Sequence, residues 1–525
     1  MKYSYQKMLV VFLLAGLIAC APVSSQSNAG SIPLPDGKNI PQYLVLISID
    51  AGRPEYLDLA AMPNLQSLIQ SGVYYPDAWV GSVENNTPPG HTEMATGSFP
   101  RTNGILGFSW TNVESGQKVN PTSLEAINRG EMAAIVQQSG VPTLSGLIKN
   151  KYPDGKVIVV TSHKYYAAQG LGVGPSDYIL YAVQSKKTSQ TQAGQGVELP
   201  SAGMLVPACI KGHELPEEVL ADPALRMKSL NNGDDSRFVF NAARILFEKY
   251  QPRALLINLP ETDSIGHKTG GINAPEEIRP VMTAIDEGLG ELIAAYKTAG
   301  IFEQTLWVIT ADHGMTPNTE SVDGAAVSQA SSTVCKKCKV NGSFQFLSRP
   351  EFSMQVAEQI ANAKIAGVTG VYARVKKPDG YVYQPAQKTV DSLDPDLNKA
   401  YLYLLSTFAG PNSPDIAVAS NLNILGQNDA LKKGGKHTAM NWADQHIPLI
   451  FSGPGVVQEI TSPSPARLVD ILPTIARLMN LSAGQMDGVV LGDALISPQP
   501  LELQAQAQIN AKLTSLRDAL KRTVN

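Results

Sequence analysis

Three apolar, β-branched runs of the chain lead into an aspartate. YLVLISID ends at Asp50, ALLINLPETD ends at Asp263, and LWVITADHG contains Asp312. A histidine follows two of these acids closely, His267 after Asp263 and His313 after Asp312. The carboxyl ends of parallel strands meet at one edge of an open α/β sheet, and ligands bind there. If these runs are neighbouring strands, the five side chains lie together at that edge.

A third histidine, His437 in GGKHTAMNWADQH, precedes another apolar run. A single aspartate at a strand end is usually a turn former or helix cap, and a lone histidine is usually structural. Three carboxylates packed together are costly unless cations neutralise them. Mixed carboxylate and imidazole ligands without cysteine suit zinc, and manganese or iron less well. Calcium and magnesium prefer oxygen ligands alone.

These six side chains are too many for one tetrahedral ion and suit a pair of ions. Paired metal ions roughly 3.5–4 Å apart hold the attacking and leaving oxygens of an in-line displacement. The pattern therefore predicts two zinc ions and a phosphoryl-transfer reaction at the carboxyl edge of the sheet.

The stretch VENNTPPGHTEMATG (83–97) carries the candidate nucleophile, Thr87. Threonine is a favoured helix N-cap and proline suits the first helical positions, so capping alone could explain this residue. Its hydroxyl is a weak nucleophile unless a metal ion or base takes its proton, which the predicted metal site would do. A helix N-terminus also favours an alkoxide and then a phosphate, although Pro88 and Pro89 have no N–H to donate. We therefore predict that Thr87 begins a helix and attacks phosphorus.

The elements that must position these residues alternate between strands and helices. The runs YLVLISID, KVIVVTS, ALLINLPETD, LWVITADHG and HIPLIFSGPG are typical of buried strands, and amphipathic helical segments lie between them. This alternation predicts an α/β fold with a largely parallel sheet sandwiched between helices. Residues 320–430 break the rhythm and are predicted to form an inserted cap region. The predicted catalytic core therefore comprises residues 41–319 and 431–495.

The last segment, residues 496–525, is predicted to be an amphipathic helix. Ile509, Leu513, Leu516 and Leu520 recur at helical spacing, which is the pattern of a stripe that packs on the core.

The first twenty residues have the pattern of an export signal. Two lysines precede the uncharged run MLVVFLLAGLIAC, which is too short to span a bilayer comfortably. LIAC resembles a bacterial lipobox, so we expect Cys20 to be lipidated, with residues 21–40 as a tether. An ordinary signal peptide cleaved nearby is the alternative. The expected location is the bacterial cell envelope, bound by the lipid to the outer membrane and facing the periplasm.

Export would place the other cysteines in an oxidising compartment. Cys335 and Cys338 form a CxxC pair, and the chain has no second pair to complete a zinc knuckle. A local disulfide is therefore expected, with Cys209 as a free, at least partly buried thiol.

The composition fits a large enzyme and excludes some partners. The 525 residues are 43% hydrophobic, which is ample for a large core. The formal net charge is −4, from 42 lysine and arginine residues against 46 acidic ones, so binding to a nucleic-acid duplex is not expected. The sequence does not predict the oligomeric state.

Five blocks of the sequence resemble a known family. SIDAGRP, NTPPGHTEMATGSFPRTNGI, LPETDSIGHKTGG, TADHGM and GKHTAMNWADQHIPLIFSGPG are similar, in order, to the metal-site blocks of the type I phosphodiesterase/nucleotide pyrophosphatase branch of the alkaline phosphatase superfamily. The resemblance spans residues 42–495 and is weakest in 320–430. It implies an alkaline-phosphatase-like core and two zinc ions, with water cleaving a phospho-threonine intermediate at the first ion. The implied ligands are Asp263, His267 and His437 for that ion, and Asp50, Asp312, His313 and the Thr87 oxygen for the second.

The chain departs from this family at Phe108. The block NGILGFSW has phenylalanine where the family usually carries an asparagine that contacts a phosphate oxygen. Asn86, Asn103 or Asn112 could replace that donor. Phe108 could stack on a base or an aryl leaving group, or could simply pack.

Lys164, in VVTSHKYYAAQG, stands where monoesterase and phosphonate-hydrolase relatives carry a lysine that contacts phosphate. Some of these relatives have arginine or lysine two positions on, where this chain has Tyr166. A lone lysine in a loop is usually a solvated surface charge, which is the alternative for Lys164. His91 matches a motif histidine outside the metal set and is expected to be structural, and no pattern singles out His163.

The function favoured by the sequence is hydrolysis of phosphate esters or nucleotides, with diesters or pyrophosphates as the first choice. Phosphomonoesters or phosphonates at the same site are the alternative. A sulfatase would need a Cys or Ser in a C/S-x-P-x-R block, whereas this chain has TPPGH from Thr87 onward. A phosphoglycerate mutase would use a serine nucleophile and reside in the cytosol, which disagrees with Thr87 and with the lipobox. A non-catalytic envelope lipoprotein is the remaining alternative, although degenerate relatives usually lose metal ligands and all seven positions are filled here.

Overall fold

The structure is a computed structural model, and it describes residues 39–184, 204–228, 233–425 and 434–523. The predicted signal peptide with Cys20, and the predicted tether except its last two residues, lie outside these ranges. The strands of the described residues, in chain order, are β1 (Tyr43–Ile49), β2 (Gly72–Trp79), β3 (Trp110–Thr111), β4 (Lys118–Val119), β5 (Val157–Val160), β6 (Tyr178–Gln184), β7 (Met204–Cys209), β8 (Met227–Lys228), β9 (Ala254–Leu259), β10 (Thr305–Thr310), β11 (Thr316–Pro317), β12 (Ser321–Asp323), β13 (Phe344–Gln345), β14 (Val368–Lys377), β15 (Gly380–Pro385), β16 (Ile416–Ser420), β17 (Asn423–Leu425), β18 (Gly435–Lys436), β19 (His446–Ser452) and β20 (Ile460–Thr461).

The α-helices alternate with these strands through most of the chain. They are α1 (Pro63–Gln70), α2 (Thr87–Thr96), α3 (Pro100–Asn103), α4 (Leu124–Asn128), α5 (Glu131–Ser139), α6 (Leu144–Lys151), α7 (Tyr165–Leu171), α8 (Glu217–Leu220), α9 (Asp234–Tyr250), α10 (Glu261–Thr269), α11 (Pro275–Thr298), α12 (Gly324–Ser332), α13 (Ser353–Asn362), α14 (Gln387–Ser392), α15 (Pro395–Ser406), α16 (Trp442–Gln445), α17 (Ile471–Leu478) and α18 (Pro500–Lys521).

A ten-stranded sheet forms the centre, in the order β20-β2-β19-β10-β1-β9-β5-β6-β7-β8. The five middle strands, β10-β1-β9-β5-β6, are all parallel. Strand β19 is antiparallel to both of its neighbours, β10 and β2. Strand β7 is likewise antiparallel to both β6 and β8. The apolar run 446–455 therefore contains a strand, as predicted, but this strand runs opposite to the five parallel middle strands.

Both faces of the sheet are buried, which explains the near-continuous apolar character of its strands. Along β1, Leu44 and Leu46 belong to a core that also contains Met94 of α2. The alternate residues Val45 and Ile47 belong to a second core, packed under α9 and α11. The predicted α/β fold with a sheet sandwiched between helices is confirmed.

Residues 320–425 form elements of their own. Strands β13-β16-β14-β15 make a separate antiparallel sheet, which shares a small apolar core with α12 and α13. The limits of the cap region, 320 and 430, remain predictions. The expected Cys335–Cys338 disulfide is present, and Cys209 is a half-buried free thiol.

The C-terminal segment forms the long helix α18. Its residues Leu513, Leu516 and Leu520 are buried against Tyr401 and neighbouring residues of α15, so the apolar stripe is a packing face. Among the described residues, no helix combines the length and apolarity that crossing a membrane requires.

Candidate active site

Three of the parallel strands deliver acidic side chains to the same edge of the sheet. Asp50 directly follows β1, and Asp312 lies two residues after β10. Strand β9 leads into α10, which carries Asp263 in its first turn and His267 one turn later. Residues four apart share a face of a helix, so both point in the same direction. The structure thus brings the predicted acids together, because their strands are neighbours.

Thr87 is the first residue of α2 and not its N-cap. The N-cap position is Asn86, whose backbone is extended and whose side chain makes no capping hydrogen bond. The Thr87 Oγ1 atom lies 3.3 Å from Nε2 of His313. The hydroxyl is therefore directed at the cluster of acids and histidines and not at the backbone of its own helix.

Each of the three aspartates has one buried oxygen without a hydrogen-bond partner among the described residues. These atoms are Oδ2 of Asp50, Oδ1 of Asp263 and Oδ2 of Asp312. The other oxygen of Asp312 accepts from the backbone N–H groups of Ala51 and His313, at 3.0 and 3.1 Å. Buried polar atoms are rarely left unpaired in native proteins. Three such oxygens at one point fit cation ligands.

Burial makes these carboxylates unfavourable as bare anions. Burial and the neighbouring Asp312 raise the pKa of Asp50 to about 8. Burial likewise raises the pKa of Asp312 to about 7. Burial also acts to raise the pKa of Asp263, but the charges of Lys164 and the neighbouring histidines together outweigh it and lower the pKa below its usual range. The site accumulates negative charge that a bound cation would stabilise.

The three candidate histidine ligands are held in the orientation that metal binding needs. Nδ1 of His267 donates to the Gly435 carbonyl at 2.9 Å, and Nδ1 of His437 donates to the Asn85 carbonyl at 2.9 Å. Nδ1 of His313 donates to the adjacent backbone carbonyl at 2.8 Å. These bonds leave each Nε2 free to face the carboxylates.

Burial also favours neutral rings. It lowers the pKa of His313 to about 3 and that of His437 well below its usual value. A metal ion binds only the neutral imidazole, so the burial of these rings suits them as ligands.

The side chains divide into two groups that differ in part from the predicted ligand sets. The ligand atoms within each group lie within 4.8 Å of one another; the groups are Asp263, His313 and His437, and Asp50, His91 and Asp312. His91 was expected to be structural. Its Nδ1 donates to the Thr87 carbonyl at 2.8 Å, and its Nε2 lies 3.0 Å from Oδ1 of Asn258. Both ring nitrogens are therefore engaged, which argues against His91 as a ligand.

His313 and His267 account for the rest of the difference. Nε2 of His313 lies 3.3 Å from Asp312 and 3.7 Å from Asp50, as well as near the Asp263 group. Nε2 of His267 lies 3.3 Å from Oδ1 of Asp263, although its side chain is 43% exposed. His313 therefore lies between the two groups, and His267 lies at the rim of the group that contains Asp263. These positions are compatible with the ligand sets that the family resemblance implies.

Lys164 is buried in the middle of the site, so the alternative of a solvated surface charge is wrong. Its Nζ atom lies 2.8 Å from Oδ1 of Asp50 and 2.5 Å from Oδ2 of Asp263. Although burial lowers the pKa of Lys164, these two carboxylates raise it well above its ordinary value. The ammonium therefore carries its charge at the meeting point of the two groups.

A cavity of about 590 Å³ opens onto these residues. Its lining residues are Asn86, Thr87, Phe108, His163, Lys164, Tyr166, Asp263, Ser264, His267, Asn318, Gly435, Lys436, His437 and Thr438. The Phe108 ring is 39% exposed and packs edge-to-face on Tyr166, with ring centroids 5.1 Å apart. Both departures from the family pattern are therefore on the wall of one cavity, in contact with each other.

Of the three asparagines that could replace the missing donor, only Asn86 lines the cavity. Its side-chain amide donates to the buried carboxylate of Glu84. Asn103 donates to the Ser98 carbonyl, and Asn112 accepts from the backbone of its own turn, so both stabilise loops.

The sequence reasoning missed His163 and Ser264 as pocket residues. Both line the cavity, and they lie 3.1 Å apart between Nε2 of His163 and Oγ of Ser264. Each directly neighbours a residue that was singled out, Lys164 and Asp263 respectively. Their positions beside these residues, at the carboxyl edge of the sheet, are the sequence feature that could have identified them.

An α/β core that gathers carboxylates, imidazoles and a helix-borne threonine at one sheet edge defines a metal-binding hydrolase. The chain belongs to the type I phosphodiesterase/nucleotide pyrophosphatase family, whose family model matches residues 44–438. The family resemblance read from the sequence is confirmed. The protein is therefore a hydrolase of phosphoric esters in the alkaline phosphatase superfamily, and this membership implies dependence on divalent metal ions.

The similar proteins include both alkaline phosphatases and a triphosphatase. Alkaline phosphatase PhoD of Zymomonas mobilis is 24% identical over 481 residues, which are 80% of this chain and 82% of the relative. Alkaline phosphatase PhoK of a Sphingomonas species is 24% identical, over 85% and 90% of the two chains. Bis(5'-adenosyl)-triphosphatase ENPP4 of Bos taurus is 23% identical, over 59% of this chain and 53% of its own length.

Solved structures support the fold. Alkaline phosphatase PafA superposes with a TM-score of 0.63 at 18% identity, covering 87% of this chain and 99% of PafA. Human ectonucleotide pyrophosphatase/phosphodiesterase 5 superposes with a TM-score of 0.56 at 16% identity, covering 87% and 100%. At these identities the likeness concerns the fold alone.

Proposed function

We propose that the protein hydrolyses phosphodiesters or pyrophosphates through a phospho-threonine intermediate at a two-zinc site. One observation carries the proposal. Three buried aspartates, Asp50, Asp263 and Asp312, each present an oxygen that has no hydrogen-bond partner among the described residues, at the sheet edge where the Thr87 hydroxyl lies 3.3 Å from Nε2 of His313. That donor set suits cations and a nucleophile that depends on them.

The residues present fit two zinc ions. Asp263, His267 and His437 would hold one ion, and Asp50, Asp312, His313 and the Thr87 oxygen would hold the other. Zinc accepts mixed carboxylate and imidazole ligands, and no described cysteine is near. When bound, the ions would lower the pKa of the attacking hydroxyl and of water and would stabilise the charge that develops on phosphorus-linked oxygens.

The residues of the chain would then perform two displacements. In the first, the Thr87 hydroxyl releases its proton to solvent and its oxygen forms a bond to phosphorus, while the bond to the leaving oxygen breaks and its electron pair stays on that oxygen, which is then protonated. In the second, water attacks phosphorus, the bond to Thr87 breaks, and the threonine hydroxyl is restored. The Lys164 ammonium, fixed by Asp50 and Asp263, is placed to bind a phosphate oxygen in both steps.

The aromatic wall of the cavity favours diesters. A phosphomonoester carries a second negative charge, and Phe108 and Tyr166 offer rings where family members use polar or cationic groups. The rings instead offer apolar surface to a base or an aryl substituent of a diester. Lys164 favours the second candidate, hydrolysis of phosphomonoesters or phosphonates, because it is buried in the site and cationic.

The test uses the soluble form that lacks residues 1–20. We expect zinc-dependent hydrolysis of bis(p-nitrophenyl) phosphate and a nucleotide ester, with slower hydrolysis of p-nitrophenyl phosphate, and loss of all three activities with a chelator. Thr87→Ala is expected to reduce kcat by at least about 10³-fold, because the nucleophile is absent. Thr87→Ser, which keeps a hydroxyl, is the matched control and retains part of the activity.

Two results would contradict the proposal. Activity that persists in chelator, or full activity in Thr87→Ala, would exclude the mechanism. No activity on any ester despite two bound zinc ions would favour a non-catalytic envelope lipoprotein.

A further inference from the structure

His163 and Ser264 contact each other on the wall of the active-site cavity, and the Asp235 carboxylate lies next to the His163 ring. Oγ of Ser264 is 3.1 Å from Nε2 of His163, and Nδ1 of His163 is 3.4 Å from Oδ2 of Asp235. The three residues come from different elements: the loop after β5, the first turn of α9 and the first turns of α10. Neither the metal site nor the nucleophilic attack by Thr87 involves these three residues.

The hydrogen-bond geometry indicates where the protons are. The Ser264 hydroxyl donates to the Pro260 carbonyl at 3.2 Å, so its oxygen is available to accept a proton from Nε2 of His163. On the other side of the ring, Nδ1 faces the Asp235 carboxylate and the Ser162 hydroxyl, which lies at 3.2 Å. A carboxylate beside one ring nitrogen directs a proton to that nitrogen. Both nitrogens therefore face groups that can accept a hydrogen bond, a geometry that suits a proton-donating ring.

The position of His163 suits a reaction partner. Its side chain is 43% exposed, in contrast to the buried Lys164 that follows it, and it lines the same cavity as Thr87. Its partner Ser264 adjoins Asp263, so the imidazole lies on the α10 side of the cavity. A substrate whose phosphorus lies over Thr87 can extend a substituent toward this ring.

The chemistry of phosphate esters gives such a donor a task. A p-nitrophenolate ion leaves readily because p-nitrophenol is a much stronger acid than an alcohol, whereas an alkoxide is a poorer leaving group and departs faster if, besides the charge stabilisation that the ions would supply, it receives a proton as the bond breaks. A positioned imidazole supplies that proton and typically contributes about 10²–10⁴-fold to the rate.

We propose that His163 is the general acid that protonates the leaving oxygen, with Ser264 and Asp235 as its positioning residues. This inference rests on the proposed function and adds a residue to it. As Thr87 attacks, the bond from phosphorus to the leaving oxygen breaks, its electron pair stays on that oxygen, and the Nε2 proton of His163 forms the alcohol. Water then cleaves the phospho-threonine, giving one proton to the Thr87 oxygen and the other to the neutral ring, which restores both the threonine hydroxyl and the donor.

Esters with good and poor leaving groups test the proposal. In the zinc-loaded soluble form, we expect His163→Gln to lower kcat/KM about 100-fold for an alkyl ester of a nucleotide. The p-nitrophenyl ester of the same nucleotide is expected to be unaffected, because p-nitrophenolate needs no proton. Across substituted phenyl esters, the logarithm of kcat/KM should fall more steeply with leaving-group pKa in the variant than in the wild type.

Two further variants separate catalysis from structure. Asp235→Asn keeps the shape of the side chain and is expected to show the same selectivity in a weaker form. His213→Gln removes a half-buried histidine that donates to the Ser176 carbonyl outside the cavity, and it is the control with unchanged leaving-group dependence. If His163→Gln does not fold, Asp235→Asn and the wild-type solvent isotope effect, expected to be larger for alkyl than for aryl esters, decide the question.

The outcomes distinguish the general-acid role of His163 from the proposed hydrolase function on which it rests. An equal loss on alkyl and aryl esters, or no loss on either, would overturn the general-acid role while leaving a Thr87-dependent hydrolase intact. A wild-type enzyme without activity on the aryl ester would instead overturn the proposed function.

Discussion

Phe108 and Tyr166 place two aromatic rings where relatives present groups that bind phosphate oxygens. Their edge-to-face contact fixes both rings on the wall of the cavity that Lys164 also lines. The cavity thus combines one buried cation with an apolar surface. We expect that combination to bind a singly charged diester with an aromatic substituent better than a doubly charged monoester.

Restoring the family amide should shift this balance. We expect Phe108→Asn to raise kcat/KM for p-nitrophenyl phosphate relative to its bis-ester by about 10-fold, because a hydrogen bond to a charged group contributes about 1.5–3 kcal/mol. Phe108→Leu removes the ring without adding a donor and separates the two effects. An unchanged ratio in Phe108→Asn would show that this position does not touch the phosphate.

At the scale of elements, helix α2 fixes the nucleophile by packing very close to the Asp312 loop. A Cβ atom at Gly90, one turn after Thr87, would lie 2.6 Å from the Asp312 carbonyl oxygen. The absence of a side chain there lets the helix end approach the acids. Because helix α2 and the Asp312 loop are so close, the position of Thr87 depends on the position of Asp312.

Gly90→Ala should therefore damage the site more than the fold. We expect kcat to fall by at least about 10²-fold, since a displacement near 1 Å of a reacting group costs that much, with a stability loss of about 1–3 kcal/mol. Kinetics and chemical denaturation measure the two effects. Gly342→Ala is the control, because nothing lies within 4 Å of its Cβ position. Wild-type kcat in Gly90→Ala would show that α2 can shift without moving Thr87.

The elements also show what the sequence could predict. Buried parallel strands carry continuous apolar runs, so β1, β9 and β10 and the acids that follow them were predictable. The antiparallel direction of β19 was not, because an apolar run has no direction. The burial of Lys164 and the ring contacts of His163 were also hidden. Both depend on which loops meet at the sheet edge, and tertiary packing alone decides that.

At the scale of the whole molecule, the catalytic core and the predicted anchor are separated along the chain. Strand β1 begins at Tyr43, which is 23 residues beyond Cys20. A chain of that length reaches at most about 80 Å when fully extended. We propose that a lipid on Cys20 holds the enzyme at the cell envelope.

Replacing the predicted lipidation site tests this arrangement. We expect the full-length protein to partition with bacterial membranes and to be extracted only by detergent, because acyl chains contribute about 0.8 kcal/mol per buried methylene group. Cys20→Ser should release the protein to the soluble periplasmic fraction with unchanged kcat/KM, since Cys20 is not one of the predicted active-site residues. Cys209→Ser, which removes a half-buried thiol, is the control and should stay with the membrane. Membrane retention of Cys20→Ser would argue against a lipid anchor at this residue, and a soluble wild-type protein would favour an ordinary signal peptide cleaved nearby.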